Sequence, residues 1–284
     1  MNSGFSFNIW SDFHSMWQYA FMQHAFEAGT VVAIVAGIVG YFVVLRRLSF
    51  AAHALSHAGF AGAAGAVLIG INPIIGLLAF TSGGGVAMAL LGRKAASQDV
   101  QIGTVLAFML GLGVLFISLY KGYATEAYSL LFGEILGISH SDVIITCIAG
   151  VITIVAMALI YRKLLFTSLD EDVAEAKGVS ILGMNLAFML LIALATSIAV
   201  QVVGVLLIFA LMVTPAAIAD RLAQRPALGI AISICVALLV TWMGLFISYY
   251  LPYPVSFFIT SIVFVIYIVV RSLQTQRLSK LLKR

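Results

Sequence analysis

Two histidines four residues apart are the residues of this sequence whose type and spacing best suit chemistry. His53 and His57 stand in the segment Ser49–Gly70, which reads SFAAHALSHAGFAGAAGAVLIG. Residues four apart share one face of an α-helix, so the two imidazoles are expected side by side. Neutral imidazoles are common ligands of divalent zinc. The pair therefore indicates a metal site, and a hydrogen-bonded structural role for both rings is the alternative.

The composition around this pair is that of a membrane protein. Hydrophobic residues make up 63% of the 284 residues and charged residues only 9%, which excludes an ordinary soluble enzyme. At a helical rise of about 1.5 Å per residue, His57 lies roughly 16 Å beyond Arg46, near the middle of a bilayer. Ionisable side chains at that depth usually face a cavity or a partner.

The predicted architecture follows from nine apolar runs. Each run is about 20 residues long, which is enough to cross a bilayer as a helix. They begin near Ala25, Phe50, Ile74, Ile102, Val143, Met184, Val202, Ala227 and Phe257. The basic residues between the runs form five clusters: Arg46-Arg47, Arg93-Lys94, Arg162-Lys163 with Lys177, Arg221 with Arg225, and the tail Arg271, Arg277, Lys280, Lys283 and Arg284. Because cytoplasmic loops carry the Lys and Arg excess, the clusters place the N-terminus outside, the C-terminus in the cytoplasm and only Lys121 outside.

The sequence thus predicts an all-α, polytopic transmembrane helical bundle of eight or nine spans. Residues 1–24 are interpreted as an amphipathic segment in the outer interface, 25–270 as the membrane domain and 271–284 as a basic cytoplasmic tail. The adjacent runs after Met184 and Val202 require a very tight outer turn around Gln201. Gly83-Gly84-Gly85 is expected to weaken or bend its helix and Pro215 to interrupt a later one after Thr214, and broken helices favour transport over a static scaffold.

The segment 166–183, FTSLDEDVAEAKGVSILG, is the longest polar interruption between the spans. A capping box from Ser168 to Glu171 and a C-terminal Lys177-Gly178 predict a helix of about two and a half turns. A simple connection needs only a few residues. The segment is therefore either a docking element for a soluble partner or a solvated loop helix.

Three functions compete on these observations. An intramembrane metalloenzyme is disfavoured because this sequence lacks the HExxH motif. The sequence also contains no GxxxxGK[ST] motif, so this chain would not itself hydrolyse ATP. An ion- or proton-coupled secondary transporter would need relay carboxylates within its spans, whereas the acidic residues here cluster at span boundaries. A permease for a larger metal chelate would not need paired imidazoles at mid-membrane depth.

Several motifs, in the same order over residues 25–270, resemble one family. VVLRRLSFAAHALSHAGFAG, LFGEILGIS, DEDVAEAKGV and QVVGVLLIFALMVTPAAIA are similar to the permease subunits of bacterial ABC importers for zinc, manganese or iron. The resemblance implies the type II (vitamin B12-type) fold and a homodimer in the bacterial plasma membrane. It also implies two cytosolic ATP-binding cassette subunits and an extracytoplasmic metal-binding protein. ATP hydrolysis would occur on the partner chain, with no nucleic acid partner.

The same resemblance implies roles for particular residues. The segment 166–183 becomes the coupling helix that enters a groove on the ATPase, through Asp170, Glu171, Asp172, Glu175, Lys177 and Gly178. Relatives commonly have Asp-Ala-Leu-Ser-His where this chain has an imidazole at position 53, which tilts the expected preference towards zinc, with manganese or iron next. Glu134 stands where relatives often have Asn or Asp and is a third candidate metal residue. The metal would be bound transiently as cargo, with no permanent cofactor.

Overall fold

A computed structural model describes residues 14–91, 98–120, 133 and 135–281 of the chain. This part folds almost entirely into α-helices. In chain order they are α1 (Ala20–Leu45), α2 (Ser49–Leu68), α3 (Pro73–Leu91), α4 (Gln98–Leu119), α5 (His140–Leu169), α6 (Glu171–Ala176), α7 (Ile181–Val203), α8 (Val205–Leu222), α9 (Pro226–Tyr250) and α10 (Val255–Leu281).

The long helices coincide with the nine predicted apolar runs, and α6 is the short helix expected between the fifth and sixth. In the described residues, eight helices are long and apolar enough to cross a bilayer. The remaining long helix is α2, which has the length of a span but contains many Ala, Gly, Ser and His residues. The all-α transmembrane bundle is therefore confirmed.

The helix that carries the histidines is largely buried in the bundle. Thirteen of the twenty residues of α2 are buried, and α2 packs against α3, α4, α7 and α8. Its small residues permit this close packing, because a Cβ atom added to Gly62 would lie 2.1 Å from the carbonyl oxygen of Gly76 on α3. Neighbouring helices thus cover most of α2, whereas the side chains of His53 and His57 stay half-buried.

Contacts between distant segments bring four of the five basic clusters to one end of the bundle, while Arg93-Lys94 lies outside the described residues. Arg46 at the end of α1 lies 3.6 Å from Glu171 of α6. Gly229 in the first turn of α9 packs against the ring of Tyr41, five residues before Arg46 on α1. Gln274 of α10 donates a hydrogen bond to the backbone carbonyl of Arg221. The pairing of these helix ends is what the alternating charge pattern predicts.

The helix interruption expected at Pro215 is wrong, because α8 continues through this residue. Helix α3 also continues through Gly83–Gly85, where the sequence predicts a weakened or bent helix. Instead the chain reverses at Gly204, the single residue between α7 and α8, whose φ of 82° lies in the left-handed region open to glycine. The tight turn predicted around Gln201 is therefore present, three residues further along.

Candidate functional site

The paired histidines lie side by side on α2, as their spacing predicts. The ring centroids of His53 and His57 are 4.7 Å apart, and both side chains are half-buried. Two imidazoles bound to one tetrahedral zinc, each with a nitrogen at about 2.1 Å, have centroids roughly 5 Å apart. The observed separation is therefore compatible with both rings binding one ion.

One nitrogen of each imidazole, Nδ1, lacks a protein partner in the described structure. The Nδ1 atoms of His53 and His57 are both buried, and neither has a hydrogen-bond partner among the described residues. Buried polar atoms in native proteins are normally hydrogen-bonded, so an unpartnered pair needs an explanation. This disfavours the alternative of a hydrogen-bonded structural role. These nitrogens are thus open to a ligand or to a buried water.

Two ligands do not complete a metal site, and the described part of the chain contains no group of three or more His, Cys, Asp or Glu side chains that could hold an ion. The third candidate, Glu134, lies outside the described residues. Among the described residues, the imidazole pair could therefore supply at most two of the four ligands of a tetrahedral ion.

An exposed face of α8 borders the histidines. The ring of Phe209 contacts that of His53, with centroids 4.9 Å apart. Phe209 and Leu206 on the same helix are both exposed. The pair thus lies beside a surface of the bundle that this chain leaves uncovered.

The second site predicted from the sequence is the short helix α6, and its predicted start is wrong. Ser168 does not cap it, because α5 extends to Leu169 and the Ser168 hydroxyl donates to the backbone carbonyl of Leu164, 2.5 Å away. Asp170 is the N-cap instead, and its carboxylate accepts a hydrogen bond of 3.0 Å from the backbone N–H of Val173. The helix is consequently six residues long, shorter than the two and a half turns expected.

The predicted end of this helix is correct. Gly178 adopts a φ of 80°, the left-handed conformation that commonly terminates helices. The acidic residues Glu171, Asp172 and Glu175 are exposed. Carboxylates near a helix N-terminus are favourable there because the helix dipole is positive at that end. α6 therefore presents a negatively charged surface at the end of the bundle that carries the basic clusters.

Arg46 connects α6 to the bundle, a role that the sequence did not reveal. Its guanidinium donates to Thr167 Oγ1 on α5 at 3.2 Å and to Asn185 Oδ1 on α7 at 2.5 Å. Burial lowers the pKa of Arg46 below its ordinary value, and the charge of Glu171 acts in the opposite direction. An arginine with this many partners stays charged.

Sequence reasoning missed Asn185 and Phe209 as well. An amide within the apolar run of α7 is the kind of signal that marks a buried polar contact, since such a group needs a partner at that position. Phe209 carried no comparable signal, because an aromatic residue in a membrane span is ordinary.

Comparisons with known proteins agree with this architecture. Residues 18–274 match the ABC 3 transport family. The chain is 34% identical to the manganese transport system membrane protein MntC of Listeria monocytogenes, over 82% of this chain and 83% of that protein. It is 30% identical to the high-affinity zinc uptake system membrane protein ZnuB of Haemophilus influenzae, over 71% of this chain and 78% of that protein.

A solved structure has a similar architecture and a related sequence. The structure of PsaBC from Streptococcus pneumoniae in complex with Fab contains a chain that is 29% identical and has a TM-score of 0.82, over 92% of this chain and 95% of that one. A metal-chelate type ABC transporter in an inward-facing conformation shares the fold alone, at 14% identity and a TM-score of 0.66. The chain belongs to the ABC 3 transport family, which confirms the permease family that its motifs resemble.

Proposed function

We propose that this chain is the permease subunit of an ATP-driven importer for a divalent transition metal ion, and that His53 and His57 line the path of the ion. The observation that carries the proposal is the pair of half-buried imidazoles on the largely buried helix α2, with Nδ1 atoms that have no partner among the described residues. Membership of a transport family supports translocation over catalysis.

Manganese and zinc are the two metals that the relatives' names support. MntC is named for manganese and ZnuB for zinc, so these relatives do not favour the zinc that paired imidazoles suggest. An imidazole pair binds zinc well and also accepts other first-row divalent ions. The proposed cargo is therefore a manganese- or zinc-class ion.

The proposed transporter is a homodimer, and the site itself supports this. A four-coordinate ion needs two ligands beyond one histidine pair, and the pair lies beside the exposed face of α8 at Leu206 and Phe209. A two-fold axis along that face would bring a second His53–His57 pair towards the first, since isologous interfaces place the same residues on both sides. The ion would then pass between two copies.

The two ends of the bundle are proposed to bind different partner proteins. The exposed acidic helix α6, with its neighbouring basic clusters, is proposed to lie in the cytoplasm and to dock a separate ATP-binding cassette subunit through Asp170, Glu171, Asp172, Glu175, Lys177 and Gly178. This orientation places the N-terminus outside the plasma membrane and the C-terminus inside. An extracytoplasmic metal-binding protein would deliver the ion at the other end.

The test is metal uptake by cells that carry His57→Ala. We expect uptake of manganese or zinc to fall at least tenfold, because even residues that only orient metal ligands typically account for 10- to 100-fold. His140→Ala, which removes an exposed imidazole from the start of α5, is the matched control and should retain uptake. Isotope uptake is measured alongside membrane abundance of both variants. Normal uptake by His57→Ala at normal abundance would contradict the proposed ion path.

A further inference from the structure

One buried arginine contacts the short helix α6 and the long helices α5 and α7. The side chain of Arg46 is only 6% exposed. It bonds to Thr167 on α5 and Asn185 on α7, lies 3.6 Å from Glu171 on α6, and has its guanidinium carbon 5.8 Å from the ring centroid of Phe188 on α7. Three helices besides its own are therefore held by one guanidinium.

The backbone around Arg46 links it rigidly to the helix that carries the histidines. Arg47 adopts a φ of 57°, and the backbone N–H groups of Arg47 and Leu48 donate to the carbonyls of Val44 and Val43 at 3.0 and 2.8 Å. This pattern is a Schellman motif, with Arg46 as the C-cap of α1. Leu48 is buried and immediately precedes α2. Only two residues therefore separate Arg46 from the helix of His53.

The contact of Arg46 with α6 differs from its other contacts because its partner there is exposed to solvent. Glu171 is 59% exposed at its side chain, whereas Arg46 is enclosed. A cavity of about 710 Å³ lies beside them, between the α1–α2 turn and the end of α5. Movement of α6 would therefore change the Arg46–Glu171 pair first, and the cavity leaves room for that movement.

We propose that Arg46 is the positioning residue that couples α6 to the metal path. The ion pair with Glu171 transmits displacement of α6 through Arg46 and the α1–α2 turn to His53 and His57. The inference rests on the proposed function, since it concerns the same ion path. An arginine suits this role because its planar guanidinium can hold several acceptors in fixed directions at once.

The test uses the whole transporter complex, purified from its native host through a tag on this chain and reconstituted in vesicles. Mn²⁺ and Zn²⁺ are supplied separately, and the ions taken up per ATP hydrolysed are measured. The variants are Glu171→Gln, Arg46→Gln and the double variant. Arg162→Gln, which removes an exposed arginine from α5, is the matched control.

We expect each single variant to lower uptake per ATP at least threefold while Arg162→Gln leaves the ratio unchanged. The double variant should be no worse than the lower single variant, because residues acting through one interaction are not additive. Glu171→Gln is decisive if Arg46→Gln does not assemble, since it removes only the exposed partner. A wild-type ratio in assembled Glu171→Gln complexes would overturn the inference, as a purely structural arginine would change complex yield and not the ratio. Absence of metal uptake by the wild-type complex would instead refute the proposed function and this inference together.

Discussion

The crossing of α2 and α3 offers a direct test of how the histidines are positioned. A Cβ atom on Gly62 would lie 2.1 Å from the carbonyl oxygen of Gly76 and 2.6 Å from Cβ of Phe80. Relief of the first contact requires the two helices to separate by roughly 1 Å, an overpacking change that costs about 1–3 kcal/mol. A backbone atom cannot rotate away, so the upper part of that range is expected for Gly62→Ala.

Helix propensity opposes this overpacking cost, and it determines which variant serves as the control. Glycine to alanine in a helix gains about 1 kcal/mol of propensity, and Gly83 on α3 has nothing within 4 Å of its added Cβ. Gly83→Ala should therefore be neutral or stabilising. The net loss for Gly62→Ala is about 1–2 kcal/mol, which at roughly 2–4 °C per kcal/mol lowers the melting temperature by several degrees.

The assay is thermal unfolding of both variants in detergent, followed by metal uptake in cells. Displacement of α2 should also reduce uptake by Gly62→Ala, because His57 is five residues away on the same helix. If Gly62→Ala matches Gly83→Ala in both melting temperature and uptake, the close α2–α3 contact and its role in placing His57 are both refuted.

Three further predictions concern α6 and the histidines. Gly178→Val should reduce co-purification of the ATPase or uncouple metal uptake from ATP hydrolysis, because a β-branched residue is strained at a φ of 80°. Unchanged co-purification and uptake would count against docking at this helix. Asp170→Ala should weaken ATPase binding through loss of an N-cap of about 1 kcal/mol, whereas Asp170→Asn keeps an acceptor and much of the binding; equal losses in both variants would assign the effect to charge. Zn²⁺ at 100 times its dissociation constant should stabilise the purified wild type against unfolding by about 2.7 kcal/mol, and chelation of the ion should remove this stabilisation. Equal stabilisation of a variant with alanine at both His53 and His57 would place the ion elsewhere.

The existence and order of the long helices could be predicted because a bilayer imposes a simple requirement. Each span needs about 20 apolar residues, and basic residues mark the ends that stay in the cytoplasm. The nine runs beginning near Ala25 to Phe257 coincide with helices for this reason. The pairing of His53 with His57 was predictable on similar grounds, since four residues return a helix to the same face.

Other features depend on which helices meet, and local patterns did not reveal them. Ser168 has the spacing of a capping residue, yet α5 extends past it because its hydroxyl finds a partner one turn back at Leu164. Pro215 and the glycines at 83–85 disfavour helices locally, but their helices remain continuous within the packed bundle.

By itself, then, the sequence determined the all-helical membrane architecture, the imidazole pair and the family, since all of these depend on residue type and local spacing. Tertiary structure alone decided that α2 packs against α3, α4, α7 and α8, that Phe209 borders His53, and that Arg46 joins α6 to α5 and α7. The physical reason is the distance along the chain. Arg46 and its partners are more than one hundred residues apart, and only the packing of the helices brings a guanidinium to Thr167, Asn185 and Glu171.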